Sequence, residues 1–322
     1  MTPIVSLGGP VRRCGCLELG LTLHSAVQPC NAVRRDRHFG CDRGKVNCAT
    51  LGSIMLRRAF LASAPLAAQL QPFRFEPAEP FPGSPILFSA AEGPLAGTWM
   101  NRPLLFERDE GLKRWLALAA VSLDAEPGPH DLLLGNGQKH AVRVAAHAYR
   151  TGRLTVPPKF VSPPKAVLKR IAEEREIKKA AFAERTRRVW AGPFAPPLDT
   201  RQTAAFGTWR TYNGKTQSIH HGLDFRAAAG TPIHASNHGR MLISQDMYYE
   251  GGFVVLDHGE GLFTLYMHLS AFGVKHGDLV KKGEEIAESG GSGRVTGPHL
   301  HFGVQWQGLY MDPATLLALR FG

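Results

Sequence analysis

The chain has 322 residues, 43% of them hydrophobic and 20% charged, and a formal net charge of +11. The basic excess sits in two stretches: 1–58 has nine basic residues against three acidic, and 159–190 has ten against four, whereas 59–158 is neutral and 191–322 carries ten basic against eleven acidic. Charge placed this way excludes a nucleic-acid groove over the C-terminal region, and no run approaches the ~20 apolar residues of a membrane-spanning helix.

All five cysteines (Cys14, Cys16, Cys30, Cys41 and Cys48) precede Met55, in odd number and without the spacing of a zinc or redox motif. Residues 1–54 read as an extension ahead of a start at Met55, or as a disordered basic arm. Met55-Leu56-Arg57-Arg58 followed by the alanine-rich apolar run Ala59–Ala68 has the order of an export signal, expected over 55–69, although Pro65 and Leu66 stand where cleavage favours small residues. The cysteine-free remainder suits an oxidising envelope, either periplasm or cell surface.

Residues 70–158 predict an all-β, immunoglobulin-like sandwich. Short apolar runs at Ile86–Phe88, Trp115–Val121 and His140–Val144 alternate with turn clusters, of which Pro127-Gly128-Pro129 and Gly135-Asn136-Gly137 are the clearest. His130, His140 and His147 are isolated there and carry no expected chemistry. Residues 159–197 predict a proline-rich linker and a basic helix from about Lys165 to Trp190, packing Leu168, Ile171 and Phe182 inward. Its positive face could touch an anionic envelope surface.

From Leu198 to Gly322 the pattern is β again. Phe253–Asp257 and Leu262–His268 predict two strands joined at His258-Gly259-Glu260-Gly261, and glycines at 277, 283, 290 and 291 predict a tightly curled antiparallel sheet, barrel-like in its corners. The fold class expected is therefore mainly β. Within this region, extended backbone puts His220, Gly222 and Asp224 on one face, and sets His299 beside His301 with Leu300 and Phe302 turned into a core. A helical spacing of His220 and Asp224 is the weaker reading, because Gly222 interrupts it. Imidazoles and a carboxylate on stiff strands are ligands that zinc takes in a catalytic site, with the fourth position left to water. His221 and His258 are expected to be non-ligands.

The texts His220-His221-Gly222-Leu223-Asp224, Leu265-Tyr266-Met267-His268-Leu269-Ser270 and Gly297-Pro298-His299-Leu300-His301-Phe302, with Gly230-Thr231-Pro232-Ile233 between them, resemble the lysostaphin-type zinc metallopeptidases of bacterial cell walls. The resemblance implies one zinc held by His220, Asp224 and His301. It implies His299 as the main proton acceptor and His268 as the group meeting the oxyanion, with either able to share both roles. Asn213 is a candidate substrate contact or a plain turn residue. The implied activity is endopeptidase cleavage of peptidoglycan stem or cross-bridge peptides. A non-catalytic wall-binding protein or amidase activator of the same fold is the alternative, and a histidine phosphocarrier on a similar scaffold is disfavoured by the Asp224 carboxylate.

Overall fold

A computed structural model describes residues 73–93 and 95–321; the extension expected over 1–54 and the export signal expected over 55–69 lie outside the described residues. Eight strands come first: β1 (Phe73–Glu76), β2 (Pro85–Ala90), β3 (Ala96–Trp99), β4 (Arg102–Leu105), β5 (Glu107–Asp109), β6 (Arg114–Ala120), β7 (Gly128–Leu134) and β8 (Lys139–Val144). They form two four-stranded antiparallel sheets, ordered β1-β2-β6-β5 and β4-β3-β7-β8. Alternation places the residues: Leu132 and Leu134 on β7, and Val142 and Val144 on β8, face a shared core while the residues between them stay wet. Trp99 pins the two sheets together. Its indole N–H donates to the Ala120 carbonyl at 2.8 Å across the core, and its ring meets Phe88 edge-on at 5.4 Å.

The sequence is corrected here at one turn. Pro127-Gly128-Pro129 reads locally as a corner, yet Gly128 and Pro129 already pair with Val144 and Arg143 as the first residues of β7. Proline is tolerated at a strand's start. Gly135-Asn136-Gly137 does form the β7–β8 corner, with the Leu134 N–H donating to the Gln138 carbonyl.

Next come β9 (Thr151–Leu154) and the helix α1 (Lys165–Phe182). The helix is shorter than its composition suggests, because residues 183–190 find better partners than their own backbone. The Glu260 N–H donates to the Thr186 carbonyl, the Val189 N–H donates to the His258 carbonyl, and Arg188 stacks 3.8 Å over the Trp190 ring. Its packing also differs from expectation. Leu168 is 50% exposed, and Phe182 alone of the three meets a large aromatic, Phe263. What anchors α1 is charge: Glu174 is buried, accepts from Arg170 and from the Tyr248 N–H, and Lys178 pairs with Glu250.

The remaining elements are β10 (Gln202–Ala204), β11 (Trp209–Tyr212), β12 (Thr216–Ile219), β13 (Gly222–Phe225), β14 (Pro232–His234), β15 (Gly239–Met247), β16 (Gly251–Asp257), β17 (Leu262–Phe272), β18 (Leu279–Val280), β19 (Glu285–Ser289), β20 (Leu300–Trp306), β21 (Leu309–Met311) and the short helix α2 (Pro313–Ala318). Ten of these strands make one sheet along the path β10-β13-β20-β17-β16-β15-β18, with β21 on β20 and a β14–β19 pair joined through β17. The sheet curls without closing into a barrel. A separate three-stranded sheet, β12-β11-β9, pairs β11 in parallel with β9, so a strand from just after the first two sheets lies directly beside the approach to His220.

The core of the large sheet explains its register. Leu223 and Phe225 on β13, and Leu300, Phe302 and Val304 on β20, are all buried on the inner face. A one-residue slip would turn every one of them to water and bring the histidines inside.

Candidate metal centre

Two strands set the centre. β13 and β20 pair antiparallel with Asp224 directly opposite His301 and Gly222 opposite Gly303. The inward faces are apolar, so Asp224 and His301 emerge together on the other face. His220 stands where the chain leaves β12 and enters β13. Gly222 lies beneath the His301 ring: a Cβ there would stand 2.5 Å from His301 Nε2, so any side chain would push the imidazole aside.

The three candidate ligand atoms converge. His220 Nε2 is 2.9 Å from Asp224 Oδ1 and 2.9 Å from His301 Nδ1, and His301 Nδ1 is 2.9 Å from Asp224 Oδ1. Among the described residues these three form a cluster able to hold a metal ion. Its edges are close to the ~3.3 Å edge of a tetrahedron built on bonds of ~2.0 Å. The proton inventory points the same way. His220 donates its Nδ1–H to the Ala205 carbonyl at 2.8 Å, which leaves Nε2 as the ring atom turned toward the Asp224 carboxylate. Burial pushes His301 down to about 4, against the opposing pull of Asp224, so its neutral form prevails. Burial alone would raise the Asp224 carboxyl, but the hydrogen bonds and charges of His220 and His301 outweigh it and keep the group ionised. Two ring nitrogens and an ionised carboxylate converging at 2.9 Å are a donor set that a cation fits.

Arg210 completes the support for the carboxylate. From β11 it donates to Asp224 Oδ2 at 2.9 Å, fixing the oxygen that is turned away from the cluster. Sequence reading missed it, because its place beside Asp224 comes from the pairing of β11 with β9 and β12.

Two further imidazoles face the cluster. His299, just ahead of β20, anchors Nδ1–H on the Gly297 carbonyl at 2.8 Å and directs Nε2 toward Asp224 Oδ1 at 3.9 Å. His268 lies inside β17 rather than at its end. There a one-residue register break against β16 accompanies φ of +67° at His268, a bulge that turns the side chain out of the strand's alternation. Its backbone N–H goes to the Glu250 carbonyl, and its ring Nδ1–H goes to the Ser292 carbonyl at 2.9 Å. Burial, with His301 and His299 nearby, pushes His268 down to about 3, so it stays neutral with Nε2 as an acceptor. The His268 and His299 rings are 4.9 Å apart.

These groups line a cleft with two adjoining halves of about 320 and 180 Å³, both bounded by Arg210, Tyr212, His268, Arg294 and His301. The family comparison follows from this geometry: residues 218–313, which hold all five histidine and aspartate positions, match the model of Peptidase family M23. Residues 218–313 form a domain of peptidase family M23. Over 88 residues its M23 domain is 45% identical to the peptidoglycan DD-endopeptidase ShyA of Vibrio cholerae, a match spanning 27% of this chain and 20% of that one. The corresponding figures for ShyC of the same organism are 38% over 122 residues, 37% and 28%. The chain thus aligns with only a fifth to somewhat over a quarter of the length of these curated relatives. A crystal structure of a Pseudomonas aeruginosa protein described as an M23 peptidase superposes with a TM-score of 0.59 at 29% identity, covering 74% of this chain and 94% of that one.

The other residues singled out in the sequence fall outside the cluster. Asn213 is a turn residue with φ of +50°, and both ends of its amide are used on the Val156 backbone, accepting from N–H at 2.9 Å and donating to the carbonyl at 2.8 Å. It does not itself line either half of the cleft, although Tyr212 beside it and Val156, which it bonds, do. His221 stacks flat on Tyr310 with ring centroids 4.4 Å apart. His258 is fully buried, with both nitrogens bonded to protein, and Asp257 accepts from Thr186 and from the Gly259 N–H at the β16–β17 corner.

Proposed function

We propose that this M23 domain is a zinc-dependent endopeptidase that hydrolyses peptide bonds in peptidoglycan stem or cross-bridge peptides, and that it acts in the cell envelope after export. The observation that carries the reading is the triangle of His220 Nε2, Asp224 Oδ1 and His301 Nδ1 with the His268 and His299 imidazoles on its open side. His220, Asp224 and His301 hold one zinc, which when bound acidifies a water to a pKa of about 7 and polarises the scissile carbonyl. His220 and His301 supply ring-nitrogen ligands, the first oriented through Nδ1–H by the Ala205 carbonyl, and Asp224 supplies the negative charge while Arg210 steadies its second oxygen.

His299 is the main proton acceptor. Its Nδ1–H is tied to the Gly297 carbonyl, so Nε2 presents a lone pair toward the cluster, able to take the water proton and return it to the leaving amine. His268 is constrained more tightly than the sequence suggested. With Nδ1–H on the Ser292 carbonyl and a neutral ring, Nε2 can only accept, so it meets an oxyanion only once it has gained a proton. Its first task is therefore to orient the water or a substrate N–H.

The relatives named peptidoglycan DD-endopeptidases support the substrate class. The test is metal content and muropeptide release from purified sacculi, measured together on the full chain and on His299→Ala. Wild type should carry one zinc and release peptides, and the variant should keep zinc while kcat falls about 10²- to 10⁴-fold. A zinc-loaded wild type that releases nothing would favour a non-catalytic wall-binding or amidase-activating role.

A further inference from the structure

Arg294 lies on the wall shared by both halves of the cleft, beside His268 and His301. Of the carboxylates bordering the same space, Asp224 is engaged by His220, His301 and Arg210, and Glu250 pairs with Lys178 through Oε1 while its buried Oε2 has no hydrogen-bond partner. Among the described residues no carboxylate lies within ion-pair distance of the Arg294 guanidinium. It rests instead over two aromatic faces, 4.7 Å from the Tyr212 centroid and 5.3 Å from that of Tyr249. A guanidinium held by its flat face keeps its N–H edge available for a bidentate acceptor.

The backbone under Arg294 is fixed as well. Its N–H donates to the Tyr249 carbonyl at 2.8 Å. Gly293 has φ of +77° and packs so closely on the β15–β16 turn that a Cβ would stand 2.4 Å from the Gly251 nitrogen. One residue earlier, the Ser292 carbonyl receives the His268 Nδ1–H. A single short loop therefore sets both a catalytic imidazole and an unneutralised positive charge. Arg226, exposed on the rim of the larger half, adds charge of the same sign.

The geometry points to Arg294 as a specificity-determining residue that receives a free carboxylate carried by the substrate beside the scissile bond. The enzyme then takes cross-link peptides bearing such a carboxylate in preference to uncharged glycine bridges. The inference rests on the hydrolase reading above and narrows it.

Two synthetic cross-linked stem peptides, identical except that the carboxylate next to the scissile bond is free in one and amidated in the other, test it on the zinc-loaded full chain. Wild type should favour the free acid by about tenfold to a hundredfold in kcat/KM, mostly through KM. The ratio should fall toward unity in Arg294→Gln and survive in part in Arg294→Lys, which keeps the charge without the planar fork. A wild type that treats the two peptides alike, or an Arg294→Gln that keeps the wild-type ratio, overturns the assignment. If zinc-loaded wild type cleaves neither peptide, the hydrolase reading fails instead. Calorimetric binding of the two peptides to His299→Ala then decides the role of Arg294: preference for the free acid supports it, and equal binding overturns it.

Discussion

Two clusters of buried polar groups lie on the same ten-stranded sheet and are built from the same residue types. At one, His258 donates Nδ1–H to the His238 carbonyl and accepts at Nε2 from the Thr264 hydroxyl, whose oxygen in turn meets Tyr266 OH at 3.1 Å, and Tyr266 OH accepts from the Ser236 N–H. Donors and acceptors match along the chain, so the network closes on itself. At the other, His220, Asp224 and His301 turn two ring nitrogens and a carboxylate oxygen toward one another, an arrangement of three ligand atoms that a cation fits. Burial of a histidine is therefore uninformative by itself. What separates a core histidine from a candidate ligand is whether its second ring nitrogen has a protein partner of opposite character.

The sharpest way to break the contrast is to remove the negative charge at the second cluster. Asp224→Asn should lose its metal altogether at concentrations that saturate wild type, measured by elemental analysis, whereas His258→Gln should keep it. Retention by Asp224→Asn would show that two imidazoles suffice and that the carboxylate serves only Arg210.

The closed network makes its own prediction about pH. Burial holds His258 at about 4 in the folded chain, below its ordinary value of about 6.5. Between those values the unfolded chain binds the extra proton, so stability is fully present above pH ~6.5 and is lost as pH falls toward ~4, by up to ~3 kcal/mol. Chemical denaturation of wild type and His258→Gln across that window should show the wild-type advantage shrinking by about this amount. A constant difference would mean that His258 is protonated in the fold. A smaller effect is expected at Arg210. Replacing it with Gln leaves all three ligand atoms in place but frees Asp224 Oδ2, and should weaken metal binding about 10- to 100-fold in a chelator competition. Unchanged affinity would mean that the β13–β20 pairing alone orients the carboxylate.

The contrast also shows what could be read without coordinates. Period-two alternation around Leu223–Phe225 and Leu300–Phe302 was enough to place Asp224 and His301 on one face, because the inner face is continuously apolar and forbids a slip. The position of His268 could be named but not its conformation, since a one-residue bulge leaves no trace in local hydrophobic pattern. Arg210 and Arg294 were invisible for a different reason. Each reaches the cleft through contacts far off in sequence, Arg210 by the pairing of β11 with β9, Arg294 by the seating of its loop on the β15–β16 turn. The end of α1 was misjudged because Thr186 and Val189 trade helical bonds for bonds to the β16–β17 corner, a tertiary preference that composition does not carry.

The parallel pairing of β9 with β11 brings Leu154 and Val156 into the larger half of the cleft, although both precede the family-matched stretch by some sixty residues. The wall of the cleft is thus co-authored by a segment that contributes none of the clustered histidines or Asp224. Under the proposed activity, changes in that segment alone would reshape the entrance without touching the candidate metal centre, and a fragment trimmed to residues 218–313 would lack that wall.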